Sequence, residues 1–156
     1  MNDLYVIDTC SLIDAATQYN ISKKSFANIW KKFDEWIETE KLISSIAVKD
    51  ELTGTDLEDL RRWAGKHKIF FHPLTREVQE RTKEVLLKYP HLIKIKGTGN
   101  SNADPFLVAT ALLRNGTIIT QEKRSKSKNI CKIPDACDGF HIPCVDLHEF
   151  LDRILD

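Results

Sequence analysis

The chain is short of several things. No apolar run approaches the ~20 residues that a membrane-spanning helix needs. Met1-Asn2-Asp3 leads straight into a strand-like run, without the basic and apolar regions of an ordinary signal peptide. There is no surplus charge of either sign: 23 basic residues face 23 acidic ones, giving a formal net charge of zero. This argues against a protein coated in positive charge for non-specific nucleic-acid binding, though a local basic patch beside an acidic pocket stays compatible with it. The four cysteines, Cys10, Cys131, Cys137 and Cys144, lack the close pairing of a zinc site, even with His141 among them. Reduced, mostly buried thiols in a cytoplasm are the expectation. Internal repeats and low-complexity linkers are absent too.

What is present reads as one globular domain of 156 residues, with 42% hydrophobic and 29% charged residues. Leu4-Tyr5-Val6-Ile7 is apolar without alternation, as in a strand buried on both faces. It ends in the polar cluster Asp8-Thr9-Cys10-Ser11. From about Ser25 to Lys41, Phe26, Ile29, Trp30, Phe33, Trp36 and Ile37 recur at helical spacing. Further strands are expected at Leu42–Ile46, Ile69–Phe71, Thr117–Thr120 and Cys144-Val145. Helices are expected at Leu57–Lys66, Thr75–Tyr89 and from Asp104, where Pro105 occupies the first turn. The buried stripe of that last helix is read as Phe106, Ala109, Leu112 and Leu113. Residues 129–142 read as irregular, followed by a terminal amphipathic helix. Strand alternating with helix predicts an α/β domain with a mostly parallel sheet.

Ligands of open parallel sheets bind beyond the carboxyl ends of the strands. Four acids are expected at that edge: Asp8 after the first strand, Glu51 after the second, Asp104 after a Gly-rich loop at 97–101, and Glu122 after the fourth strand. Each has an ordinary alternative. Asp8 and Asp104 could cap or open helices, and Glu51 and Glu122 could be solvated surface acids. Converging carboxylates repel unless a cation balances them. All-oxygen donors suit Mg²⁺ or Mn²⁺, and such ions serve phosphodiester hydrolysis. Lys123, Arg124, Lys126 and Lys128 follow the fourth acid and could grip RNA phosphates, or form a solvated loop. Lys94 and Lys96 are weaker candidates of the same kind.

Tyr5–Ile13, Val48–Leu52, Asn102–Ala111 and Gly116–Glu122 carry a resemblance to the PIN-domain ribonucleases, and among these to VapC-type toxins of toxin–antitoxin pairs. The tail from Glu122 to Cys137 resembles a less-characterised PIN-like subgroup. The resemblance implies a three-layer α/β/α sandwich around a central parallel sheet of about five strands. It implies a Mg²⁺ or Mn²⁺ site made by Asp8, Glu51 and Asp104, joined by Glu122 at a position where the family usually has Asp. Ser11 and Thr120 would support these carboxylates from behind. RNA as substrate, an antitoxin protein as partner and a homodimer follow as expectations, the last helped by the apolar area of Trp30, Trp36 and Trp63. Two other readings are a catalytically degenerate PIN-like module that binds RNA or protein, and a haloacid-dehalogenase-type phosphatase. The latter wants a second Asp at position 10, where this chain has Cys.

Overall fold

A computed structural model describes residues 3–93, 102–127 and 129–155. The Gly-rich loop at 97–101, Lys94, Lys96 and Lys128 lie outside the described residues. The first strand, β1 (Tyr5–Ile7), is buried along its whole length. It runs directly into α1 (Thr9–Gln18), so the polar cluster after the strand is the first turn of a helix. Asp8 is its N-cap: Oδ1 accepts the Ser11 N–H at 2.8 Å.

The long helix expected from Ser25 is shorter. A single 3₁₀ turn over Lys24–Phe26 precedes α2 (Ala27–Glu38). The chain then turns through Glu40, at a left-handed φ of 56°, into β2 (Leu42–Ser45). The short helix α3 (Ile46–Leu52) and α4 (Glu58–Lys66) follow. The next strand, β3, is Phe71–His72, displaced toward the C-terminus from the apolar run that suggested it, and Ile69 is exposed. The remaining elements are α5 (Arg76–Lys88), α6 (Asp104–Arg114), β4 (Thr117–Ile119), α7 (Ile133–Phe140), β5 (Cys144–Val145) and α8 (Leu147–Ile154).

The five strands are all parallel, in the order β3-β2-β1-β4-β5. Tyr5 pairs with Leu42 on one side and Thr117 on the other, which makes β1 the central strand. The chain winds outward from β1 through β2 to β3, then crosses back to β4 and β5. Right-handed crossovers put the helices of the two windings on opposite faces of the sheet. The expected α/β/α architecture is therefore present. Among the described residues, no helix is long and apolar enough to cross a membrane.

One helical layer is joined by aromatic rings. Phe33 of α2 meets Trp30, Trp63 of α4 and Phe150 of α8, and Phe150 in turn meets Tyr5 and Trp36. Trp30 and Trp63 are buried and Trp36 half-buried, so the apolar area that suggested a dimer belongs to the core. In the other layer α5 and α6 pack together and α6 also meets α7. Helix α6 is buried nearly all round: Leu107, Val108, Ala109, Thr110 and Ala111 are inside, while Phe106, Leu112 and Leu113 are only half-buried. Its buried face thus differs from the expected stripe, because the helix is covered by the sheet, α5 and α7 at once.

Residues 133–140 form a helix where an irregular segment was expected. Asp135 explains the start. Its Oδ2 accepts the Lys132 N–H at 2.8 Å, and both its oxygens accept the Ser125 N–H at 3.1 and 3.2 Å. His141, left-handed at φ 57°, ends the helix.

Candidate active site

In a doubly wound sheet the crevice lies where neighbouring strands send the chain in opposite directions. Here that point falls between β1 and β4, and the residues just beyond them are Asp8 and Thr120. Asp8 is 3% exposed. Its Oδ2 accepts the Thr120 hydroxyl at 2.5 Å, while Oδ1 is held by the Ser11 N–H. The Ser11 hydroxyl lies between this carboxylate and the carbonyl of Ile119, 3.4 Å from the latter. On the other side of β1, the Ser44 hydroxyl of β2 donates to the Ile7 carbonyl at 2.7 Å. The end of β1 is therefore tied to β2 and β4 by side chains as well as by the ladder.

Burial pushes the Asp8 carboxyl up to about 6 from its ordinary 3.8. The hydrogen bonds from Ser11 and Thr120 oppose that rise, and the negative charge of Glu122 adds to it. Asp104, in the first turn of α6, is 5% exposed. Cys10 reports how these acids converge. Its thiol is pushed up to about 12, first by burial and then by the charges of Asp8, Glu122, Asp104 and Asp14. Asp14 was not expected at the site. It lies one helical turn after Cys10 on α1, a spacing that becomes visible only once Thr9 is known to start a helix. Cys10, one of the thiols expected to be buried, keeps a solvent-exposed surface even though the protein around its sulfur desolvates it.

The remaining acids are engaged at the margin. Glu51 on α3 accepts the Thr9 hydroxyl at 2.7 Å, which brings it beside the start of α1. Glu122 takes its N–H to Thr120 Oγ1 at 3.1 Å. Its Oε1 accepts the Ile133 N–H at 3.4 Å, and Oε2 lies 3.6 Å from Lys132 Nζ. Gln121 is turned away, accepting the Leu147 N–H at the start of α8 at 2.8 Å.

The donor set suits a hard divalent cation in kind and charge. Asp8 is a buried carboxylate whose hydrogen-bond partners are neutral and whose acting charge is another carboxylate, the condition a cation relieves. The side chains are not drawn into one coordination sphere: among the described residues, no three His, Cys, Asp or Glu form a group that could share an ion. The same holds for the C-terminal cysteines. Cys131 and Cys137 are buried free thiols, and Cys137 shares a thiol hydrogen bond with Cys144.

The basic segment after β4 is more structured than a solvated loop. Arg124 makes two short bonds to Asp138 of α7, at 2.6 and 2.8 Å, so its guanidinium is already engaged. Lys123 and Lys126 are exposed. A cavity of about 430 Å³ beside them is lined by Thr120, Glu122, Lys123, Arg124, Cys144 and Glu149, among others.

The fold is a doubly wound parallel α/β sheet with the buried acid Asp8 at its switch point. A family model, that of the domain of unknown function DUF4411, matches residues 5–154, and the chain belongs to that family. No curated protein matches it. Among solved structures the chain is similar to PAE2754 from Pyrobaculum aerophilum, at 17% identity over 97% of this chain and 96% of that one, with a TM-score of 0.49. It is also similar to FitAcB from Neisseria gonorrhoeae, at 12% identity over 93% and 99% of the two chains, with a TM-score of 0.49.

Proposed function

We propose that the protein is a metal-dependent endoribonuclease of the PIN type, hydrolysing RNA phosphodiesters with Mg²⁺ or Mn²⁺ at the carboxylate pocket. The observation that carries this reading is Asp8: a buried acid at the switch point, supported by neutral donors and acted on by the charge of Glu122, while the charges of Asp104 and Asp14 reach the neighbouring Cys10. Asp8 and Asp104 would hold the ion, with Glu122, from the segment after β4, and Glu51, from α3, closing on it. Bound there, such an ion activates water and offsets charge on the phosphoryl oxygens. The chain's own residues do the rest. Thr120 and Ser11 fix both oxygens of Asp8 and favour its charged form. Thr9 holds Glu51 at the pocket rim. Lys123 and Lys126 offer phosphate contacts beside it, and Arg124, two of whose five N–H donors are taken by Asp138, keeps the others for a phosphate. Action as the toxin of a toxin–antitoxin pair, with an antitoxin protein as partner, rests on the sequence resemblance.

Calorimetric titration of Mn²⁺ into the wild type, Asp8→Asn and Asp104→Asn tests the reading. Saturable binding in the wild type, lost in both variants, is expected, together with Mn²⁺-dependent cleavage of RNA. A folded wild type that takes up no Mn²⁺ would overturn it in favour of a PIN-shaped binding module.

A further inference from the structure

Lys132, ten residues beyond Glu122 in the chain, stands beside that acid in the fold. It precedes α7, and its ammonium lies 3.6 Å from one oxygen of Glu122, while the next residue's N–H reaches the other oxygen at 3.4 Å. One carboxylate is thus held at both oxygens by the start of a single helix. The position of Lys132 does not depend on its ammonium. Its backbone N–H is bound by Asp135, which also accepts the Ser125 N–H.

Glu122 is at the same time close enough to Asp8 and Cys10 for its charge to act on both. It therefore sits between two sources of positive charge. One is the ammonium of Lys132 with the N-terminal end of α7. The other is any cation held by Asp8. The pair is also sheltered: the Glu122 side chain is only 16% exposed, which limits screening by water.

We propose that Lys132 is a positioning residue, an internal counter-ion that holds Glu122 toward α7 and competes with the divalent cation for that carboxylate. It thereby sets the cation affinity of the pocket. The inference rests on the reading of the pocket as a cation site. Replacing Lys132 by a neutral side chain of similar length leaves the helix cap intact and frees Glu122 to close on the ion.

The test is Mn²⁺ calorimetry on the wild type, Lys132→Met, Lys132→Arg, Glu122→Gln and the Glu122→Gln/Lys132→Met double variant, each checked for an unchanged melting transition. Lys132→Met is expected to bind Mn²⁺ about three- to tenfold tighter. Lys132→Arg, which keeps the charge, keeps the wild-type affinity. In the Glu122→Gln background the Lys132 substitution has no further effect, as a coupled pair requires. Unchanged or weaker binding in Lys132→Met, with a wild type that saturates, overturns this inference and leaves the cation site standing. Equal tightening in the Glu122→Gln background overturns it too, since the effect would then be a general field. A wild type that binds no Mn²⁺ removes both readings.

Discussion

The hydroxyl of Thr120 donates to Oδ2 of Asp8 at 2.5 Å across 112 residues of chain. It joins the ends of the two central strands and sets the chemistry of the acid between them. A hydrogen bond to the charged form of a carboxylate favours that form. Thr120→Val is therefore expected to raise the Asp8 carboxyl further above 6, and Thr120→Ser to restore it. Following the Asp8 side-chain carbon by NMR across a pH titration checks this. No displacement in the valine variant would show the bond to be without weight.

Asp8 also makes stability fall with pH. The folded protein keeps the proton to about 6, whereas the unfolded chain releases it near 3.8. Between those values the folded state binds more protons, so stability is greatest below about 4 and declines as pH rises through 6. At about 1.36 kcal/mol per pH unit the full loss is roughly 3 kcal/mol. Asn keeps an acceptor for the Ser11 N–H and carries no charge. Asp8→Asn is thus expected to be about 2–3 kcal/mol more stable than wild type at pH 7.5 and nearly equal at pH 4. Urea unfolding at both values decides it. A variant less stable at pH 7.5 would contradict the assignment.

Cys10 is exposed and yet should be inert. With its thiol pushed up to about 12, the thiolate is scarce at pH 8. Alkylation by iodoacetamide should run on the order of a hundred times slower than at an ordinary exposed cysteine. Asp8→Asn should speed it, because the largest carboxylate contribution is then gone. Peptide mass spectrometry of a labelling time course gives both rates. An ordinary rate in the wild type would mean that the acids do not converge on this thiol.

Gly139, inside α7, supports the hydroxyl of Tyr89: a Cβ at that position would lie 1.6 Å from the Tyr89 oxygen. Gly139→Ala must push the ring aside, away from its contact with Phe140 at 5.7 Å. A loss of about 1–3 kcal/mol is expected from overpacking. In a Tyr89→Ala background the sign should reverse, since alanine favours a helix over glycine by about 0.5–1 kcal/mol. Thermal melts of the four proteins complete the cycle. A penalty that persists without the ring would place its cause elsewhere.

The parallel sheet was legible because its strands are apolar on both faces: Tyr5–Ile7 and Thr117–Ile119 could hardly be anything else. Helix α1 was hidden because its first turn, Thr9-Cys10-Ser11, looks like a loop until Asp8 caps it. Helix α7 was hidden for a similar reason: Pro134 and Gly139 mark it as a breaker, while its support comes from Ser125 and Lys132 backbone groups bonded to Asp135. The same two omissions explain what was missed at the pocket. Asp14 needs the periodicity of α1 to reach the acids, and Lys132 needs the start of α7 to reach Glu122. The engagement of Arg124 by Asp138 is a contact across α7 that no local pattern announces.

The strand order has a consequence for how the protein comes into being. Strand β1 precedes its sheet partners in the chain and is the centre of the sheet, but its neighbour β4 arrives only at residue 117. A ribosome adds about 5–20 residues per second, and N-terminal segments begin to fold first. A nascent chain can therefore carry β1, β2 and β3 while Asp8 still lacks Thr120. The site is complete only once the segment from Thr117 to Glu122 has joined β1, so a nascent chain that stops short of it carries Asp8 without its partner.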